Sequence, residues 1–249
     1  MLMRPPPLQT DRHALFLDFD GTLVAFADTP DDITISHDLR EMLHQLQMAM
    51  DGAFAFVTGR AAANLAGHLH MPFVIAGSHG AEIRERDGTT HNLASPIDKE
   101  RVDAISRFVQ QHPPLVMEKK AGGLTVHYRR DPSLKSATKA VLEAHFSALP
   151  QMEIMAGAMM FEVREKNLHK GSAIEALMKR PEYRDRVPIF LGDDVTDEDG
   201  FRAVNAAGGV SIKIGAGATG ATHRLPDIAA VHAWLSHAVA SRTLKESTV

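Results

Sequence analysis

The sequence predicts an α/β fold, a parallel sheet covered by helices on both faces and interrupted by an inserted α+β unit. Three observations predict it. Short apolar runs alternate with helical patterns toward both ends of the chain, the grammar of a covered parallel sheet. Each run stops at acidic, glycine or hydroxyl residues, and ligands of such sheets collect beyond the carboxyl ends of the strands. The middle, 96–165, instead sets alternating strands beside amphipathic helices, the habit of an antiparallel sheet with one wet face.

The elements follow in order. Residues 1–11 contain Pro5, Pro6 and Pro7, which cannot continue a helix, so this leader is expected to be disordered or extended. The run from His13 to Leu17 reads as a buried parallel strand that delivers Asp18 at its end. Ser36 is placed to cap a helix in which Leu39, Met42, Leu43 and Leu46 recur at helical spacing. The apolar runs 53–57 and 72–76 predict two more strands, ending in Thr58-Gly59-Arg60 and in GSHG at 77–80. From Asp98 to His112 the pattern is helical, with Val102, Ile105, Phe108 and Val109 on one face. The segment from Gly123 to Arg129 alternates as a strand, 133–149 is helical again, and 152–155 and 159–164 are short strands about Gly157. The insert is therefore expected in β-α-β-β order. The parallel grammar returns in 187–191 before GDD at 192–194, and in 210–214 before Gly215. The expected division is a leader 1–11, a core of 12–95 with 166–249, and an insert 96–165.

Composition excludes several classes. A net charge of −4 gives no general attraction to nucleic acid or to an anionic membrane. The absence of cysteine removes thiol chemistry and disulfides, and fits a reducing compartment. No apolar stretch approaches the ~20 residues of a membrane span, and the N-terminus lacks a signal-peptide core. A cytoplasmic protein without an obligate protein partner is the expectation, and an anionic substrate would need a local basic pocket.

Four segments carry chemistry. In DFDGT at 18–22, Asp18 and Asp20 at i and i+2 of an extended segment point the same way, and Gly21 permits a sharp turn. Asp18 can offer one oxygen to a hard cation and the other to phosphorus, with Asp20 nearby as proton donor. Thr58 ends a strand, where its hydroxyl and the amides behind it could hold phosphate oxygens at a helix N-terminus; an ordinary helix cap is the alternative. Lys170 opens an amphipathic helix with Ile174, Leu177 and Met178, and supplies the positive charge that a phosphate beside two aspartates needs. GDDVTDED at 192–199 packs five acids into seven positions, which repel one another unless a cation or lysine neutralises them. The spacing lacks the glutamate of an EF-hand calcium loop, and a Mg²⁺ site with few protein ligands fits better.

Taken together, DxDGT, a hydroxyl at a strand end, the lysine and GDDxTD resemble the haloacid dehalogenase superfamily of phosphohydrolases. The insert falls between the second and third motifs, as in its C2-capped members. That resemblance implies a Rossmann-like catalytic core with a cap domain at 96–165. A narrower resemblance, to the trehalose-6-phosphate phosphatases, rests on GDDVTDEDGF at 192–201, AGSHGAE at 76–82, the His127-Tyr128-Arg129 strand, Glu162-Val163-Arg164, and Glu118 with Lys120. Two positions depart from the family pattern: Thr58 where many relatives have serine, and Lys119 where an acid is frequent. Either hydroxyl can serve at position 58.

The resemblance implies hydrolysis of a phosphorylated disaccharide, trehalose 6-phosphate, through an aspartyl phosphate, with Mg²⁺ as cofactor. Asp18, Asp20, Thr58 and Lys170 are the implied catalytic residues. Asp18, Asp193 and the Asp20 carbonyl are the implied Mg²⁺ ligands, with Asp194 and Asp197 behind them. Arg60, His79, Glu82, Glu118, Lys120, His127, Arg129, Glu162 and Arg164 are candidates to contact substrate. On the residues alone, His127 and Arg129 serve equally to support their strand, and His79 and Glu82 equally to pin a strand-end turn. Another sugar phosphate, such as sucrose phosphate, or a silent sugar-phosphate sensor are the competing functions.

Overall fold

The computed structural model describes residues 3–26, 32–157 and 159–246, with side chains as far as residue 240. In chain order the elements are β1 (His13–Leu17), α1 (His37–Ala49), β2 (Phe54–Val57), α2 (Ala62–Leu69), β3 (Val74–Gly77), β4 (Glu82–Arg84), β5 (Thr90–Asn92) and α3 (Lys99–Gln110). Then come β6 (Val116–Lys120), β7 (Gly123–His127), α4 (Lys135–Phe146), β8 (Met152–Gly157), β9 (Met160–Glu165) and α5 (Lys170–Met178). The chain ends with β10 (Val187–Gly192), α6 (Glu198–Ala206), β11 (Val210–Ile214), β12 (His223–Leu225) and α7 (Ile228–Glu246). It forms two compact units, Met1–His91 with His169–Val249, and Asn92–Leu168.

The first unit is built on an eight-stranded sheet in the order β12-β11-β10-β1-β2-β3-β4-β5. Strands from β12 to β3 pair in parallel, and β4 joins β3 antiparallel. This antiparallel extension is not foreseen in the sequence. Because successive side chains of a strand point to opposite faces, the central strands feed two cores. Leu15, Leu17, Phe54, Phe56, Ile189 and Leu191 pack with Leu39, Leu43 and Leu46 of α1, Leu65 and Leu69 of α2, and Val231 and Leu235 of α7. Ala14, Phe16, Ala55, Val57 and Phe190 pack on the other side with Ile174 and Leu177 of α5 and with Phe201 and Val204 of α6. Each fully buried Leu or Phe contributes about 1.5–3 kcal/mol, so both layers are strongly held.

Local signals set the helix ends. Ser36 caps α1, its Oγ accepting from the Leu39 amide at 3.1 Å. His169 caps α5, accepting from the Ser172 amide at 3.1 Å while Ser172 Oγ accepts from the His169 amide, a reciprocal capping box. The leader is extended: Leu8 is buried in the core, and Met3 bridges to His223. Its first two residues lie outside the described ones. Among the described residues no helix is long and apolar enough to cross a membrane.

The second unit is a four-stranded antiparallel sheet, β6-β7-β9-β8, with α3 and α4. Its order is α-β-β-α-β-β, which corrects the expected β-α-β-β: residues 116–120 form a strand the sequence did not announce. VMEKK carries three charged residues, and its alternation is visible only beside a partner strand. Leu124, Val126, Phe161 and Val163 pack on Ile105, Leu142 and Phe146, so this face lies against the helices. The register Glu118↔Thr125↔Glu162 then places Glu118, Thr125 and Glu162 on the opposite face. Lys120, His127 and Arg164, two residues along their strands, share it.

Candidate active site

Sheet topology brings the acidic motifs together. β1 is flanked by β10 and β2, and the chain runs outward from it in both directions, a switch point with a crevice at the strand ends. Leu17 is in register with Leu191, and the Asp18 amide donates to the Leu191 carbonyl at 3.0 Å. Asp18 and Asp193 therefore leave adjacent strands side by side. Gly21 is in the left-handed region at φ 77°, and a Cβ there would overlap the Asp193 carboxylate. Only a glycine lets the DFDGT turn lie this close to the GDD loop.

Asp18 is 4% exposed and held at both oxygens. Lys170 Nζ donates to Oδ1 at 2.7 Å, and the Thr22 hydroxyl donates to Oδ2 at 3.3 Å. Lys170 donates also to Asp197 Oδ1 at 2.6 Å. The other oxygen of Asp197, a fully buried residue, accepts from the amides of Asp193 and Asp194, both at 2.9 Å. One carboxylate thus aims the lysine and folds the acidic loop. Burial drives the Asp18 carboxyl well above the ordinary range; Lys170 opposes the shift, while Asp197 and Asp193 add to it. Asp193 is pushed up to about 6, by burial first and Asp197 next, against Lys170. Burial disfavours the charge on Lys170, but Asp18 and Asp197 outweigh it and raise its pKa.

Oxygens of Asp18, Asp193 and Asp197 all lie within 4.8 Å of one another. Asp193 Oδ1 is buried with no hydrogen-bond partner among the described residues, a costly state for a carboxylate. Both facts fit a divalent cation between Asp18 and Asp193: Asp197 is committed to three bonds of 2.6 to 2.9 Å, whereas Asp18 Oδ2 is held only by the long 3.3 Å bond from Thr22. The donor set, all oxygen, suits a hard divalent cation.

The remaining predicted residues sort by place. Thr58 is buried, and its Oγ1 accepts from the Arg60 amide at 3.1 Å, leaving its proton to give. α2 begins only at Ala62, whose amide donates to Glu82 Oε1 at 2.8 Å. The amides of Arg60 and Ala62 are therefore engaged by protein acceptors. Glu82 Oε1 also accepts from the Ser78 hydroxyl at 3.0 Å. Ser78 and His79, at φ 49° and 57°, form a strained turn whose amides donate to the Arg60 and Thr58 carbonyls. Glu82 and His79 thus brace the loop that carries Thr58. Arg60 forms a two-pronged pair with Asp20 and donates to Asn64 at 2.9 Å. Asp194 is exposed, and its side chain caps the 3-10 turn at Val195–Asp197.

In the second unit, Lys120 Nζ donates to Glu162 Oε1 at 3.1 Å, with side chains only 7% and 5% exposed. His127 lies 3.7 Å from Glu118, and Arg164 donates to Glu153 at 2.8 Å. The neighbouring His127 lowers the Glu118 pKa against the effect of burial. Arg129 departs from expectation: β7 ends at His127, and Arg129 is exposed in the turn closed by the Asp131 amide on the Tyr128 carbonyl. Lys119 is exposed and takes the face opposite to Glu118 and Lys120. Two residues of this arrangement were not singled out in the sequence. Thr22 was visible inside DGT, whereas Lys213, whose Nζ donates to the Asp193 carbonyl at 2.5 Å, gave no local signal.

Comparison with known proteins agrees with this geometry. A family model described as trehalose-phosphatase matches residues 16–228. A trehalose-6-phosphate phosphatase of Escherichia coli is 36% identical over 233 residues, covering 92% of this chain and 87% of that protein. A probable trehalose-phosphate phosphatase of Sinorhizobium fredii is 40% identical over 209 residues, covering 82% and 78%. The solved C-terminal domain of C. albicans trehalose-6-phosphate phosphatase shares the fold, with a TM-score of 0.77 at 24% identity and 92% of each chain covered. With the motif-bearing strand ends inside the matched span, the chain belongs to the trehalose-phosphatase family, phosphatases with a haloacid dehalogenase-type core and an inserted cap.

Proposed function

We propose that this protein hydrolyses trehalose 6-phosphate to trehalose and inorganic phosphate, the last step of trehalose formation, with Mg²⁺ as cofactor and Asp18 as nucleophile. The observation that carries it is the buried Asp18 carboxylate, fixed at the end of β1 by Lys170 and Thr22 beside the unpartnered oxygen of Asp193. The sugar is drawn from the names of the relatives at 36% and 40% identity.

In this reading Asp18 attacks phosphorus in line, and the bond to the sugar oxygen breaks. Asp20 gives that oxygen its proton and later takes one from the water that cleaves the acyl phosphate. Lys170 and the Thr58 hydroxyl offset charge on the phosphoryl oxygens, the main demand of phosphoryl transfer. A bound Mg²⁺, held by the carboxylates of Asp18 and Asp193 and the Asp20 carbonyl, would neutralise the same charge. Asp197 keeps Lys170 aimed, and Asp194 shapes the loop from outside. Arg60, His79 and Glu82 support the site from the first unit. Glu118, Lys120, His127, Glu162 and Arg164 are suited by their shared polar face to sugar hydroxyls, which such sites discriminate strongly. Arg129 lies exposed on the turn beyond β7.

The test is phosphate release from trehalose 6-phosphate, sucrose 6-phosphate and glucose 6-phosphate, with Mg²⁺ and with a chelator. Mg²⁺-dependent turnover highest on trehalose 6-phosphate is expected. Binding of the sugar phosphate without turnover would make the protein a sensor, and preference for another ester would reassign the substrate.

A further inference from the structure

Asp193 is gripped from both sides of its backbone. Its amide donates to Asp197 Oδ2 at 2.9 Å, and its carbonyl accepts from Lys213 Nζ at 2.5 Å. Lys213 is 7% exposed, and its ammonium donates also to the Ile214 carbonyl at 2.6 Å. The lysine stands on β11 in register with Gly192, the residue just before Asp193. Both backbone groups of Asp193 are thereby fixed, and its side chain is left with the buried, unpartnered Oδ1.

Burying an ammonium costs several kcal/mol unless the site uses the charge. The two partners of Lys213 are neutral carbonyls, bonds that a neutral donor would also satisfy. What the cation adds is position and charge beside a loop of carboxylates that Lys170 alone offsets only in part. We infer that Lys213 is a positioning residue for the divalent-cation site: it locks the Asp193 peptide so that the carboxylate is presented to the ion. The inference rests on the phosphatase reading above and adds to it a residue that touches neither substrate nor metal. Groups placed behind metal ligands in this way change metal affinity about 10–100-fold when removed.

The experiment titrates metal-free protein with Mn²⁺, following free Mn²⁺ by electron paramagnetic resonance with no substrate present. Lys213→Met is expected to weaken Mn²⁺ binding at least about tenfold, while KM for trehalose 6-phosphate at saturating metal stays within about twofold. The chain has no cysteine, so Lys213→Cys alkylated with bromoethylamine restores a lysine-length ammonium at this position alone and should restore affinity. Should Lys213→Met fail to fold, Lys213→Leu carries the same comparison. Equal Mn²⁺ affinity in wild type and variant overturns the positioning role. A wild-type protein that binds no Mn²⁺ overturns the metal-dependent phosphatase reading itself.

Discussion

Arg60 holds Asp20 by both carboxylate oxygens, Nε donating to Oδ2 at 2.6 Å and Nη2 to Oδ1 at 2.7 Å. A guanidinium fork of this kind fixes the plane of the carboxylate. A held carboxylate suits the second half-reaction as proposed, in which Asp20 takes a proton from water. For the first half-reaction it must leave the fork and carry a proton. Arg60→Lys keeps the charge but loses the two-point grip. Breakdown of the aspartyl phosphate is therefore expected to slow more than its formation, by about 10–100-fold. Rapid-quench measurement should find phosphoenzyme accumulating in the variant; an unchanged steady-state level would remove Arg60 from this role.

Gly21→Ala tests the approach of the two acidic loops. The backbone at φ 77° disfavours any side chain, and the added methyl overlaps the Asp193 carboxylate. The conformational part costs about 1–2 kcal/mol, which a protein of this size can absorb. Displacement of Asp193 cannot be absorbed by the site. Chemical denaturation should show a modest loss of stability, while Mg²⁺-dependent turnover falls by two orders of magnitude or more, on the order of one lost electrostatic contact. Near-normal turnover would mean that Asp193 does not serve the ion.

The core was legible because each parallel strand is a continuous apolar run ending in its own functional residues, as Leu15, Phe16 and Leu17 end in Asp18. Asp18 and Asp193 were legible because their motifs sit at those ends, and Lys170 because it opens an amphipathic helix. Side-chain pairing was not. Arg60 read as a substrate contact, yet its guanidinium is engaged by Asp20, 40 residues earlier in the chain. Lys213 sits in a plain alternating strand, and only the register with Gly192 brings it to the acidic loop. β6 escaped because Glu118 and Lys120 look like surface residues until Glu162 is placed across the sheet. Long-range pairing is set by topology, which no local window contains.

Metal affinity should depend on pH through Asp193. Its folded pKa is raised to about 6, so the fold favours the protonated acid when no cation is bound. That stabilising contribution is fully present below the unfolded carboxylate value and is lost as pH rises through about 6. A cation competes with the same proton. Mn²⁺ affinity should therefore strengthen as pH rises toward and past 6 and then level off, with Asp18 shifting the profile the same way. Titrations at several pH values between 5 and 8 measure it; a flat profile would show that these carboxylates do not hold the ion.

The Lys120–Glu162 pair offers a test of sugar recognition apart from chemistry. Both side chains are almost inaccessible, and neither belongs to the strand ends that carry the nucleophile. Lys120→Met should lower kcat/KM for trehalose 6-phosphate by about 10–100-fold, the loss expected when one charged hydrogen-bond partner is removed. Hydrolysis of p-nitrophenyl phosphate, which has no sugar, should stay near wild type. Equal losses on the two substrates would point to a folding defect and not to recognition.

Asp197→Asn gives the sharpest electrostatic test. Asp197 accepts hydrogen bonds on both oxygens: the Asp193 and Asp194 amides on Oδ2, the Lys170 ammonium on Oδ1. An asparagine offers one acceptor oxygen and one donor NH₂. With the oxygen toward the amides, the NH₂ faces the ammonium; with the side chain flipped, it faces two N–H groups. Either way a buried donor meets a donor. Lys170 would also lose one of its two anions and fall back on Asp18, which damps the nucleophile. Loss of one partner from a buried pair costs about 3–5 kcal/mol, so the urea midpoint should drop clearly. Turnover should fall by at least the 10²-fold typical of a lost electrostatic contact in such sites. A variant as stable as wild type would show that Asp197 is not the shared anchor of lysine and loop, because no asparagine rotamer can satisfy both sets of donors.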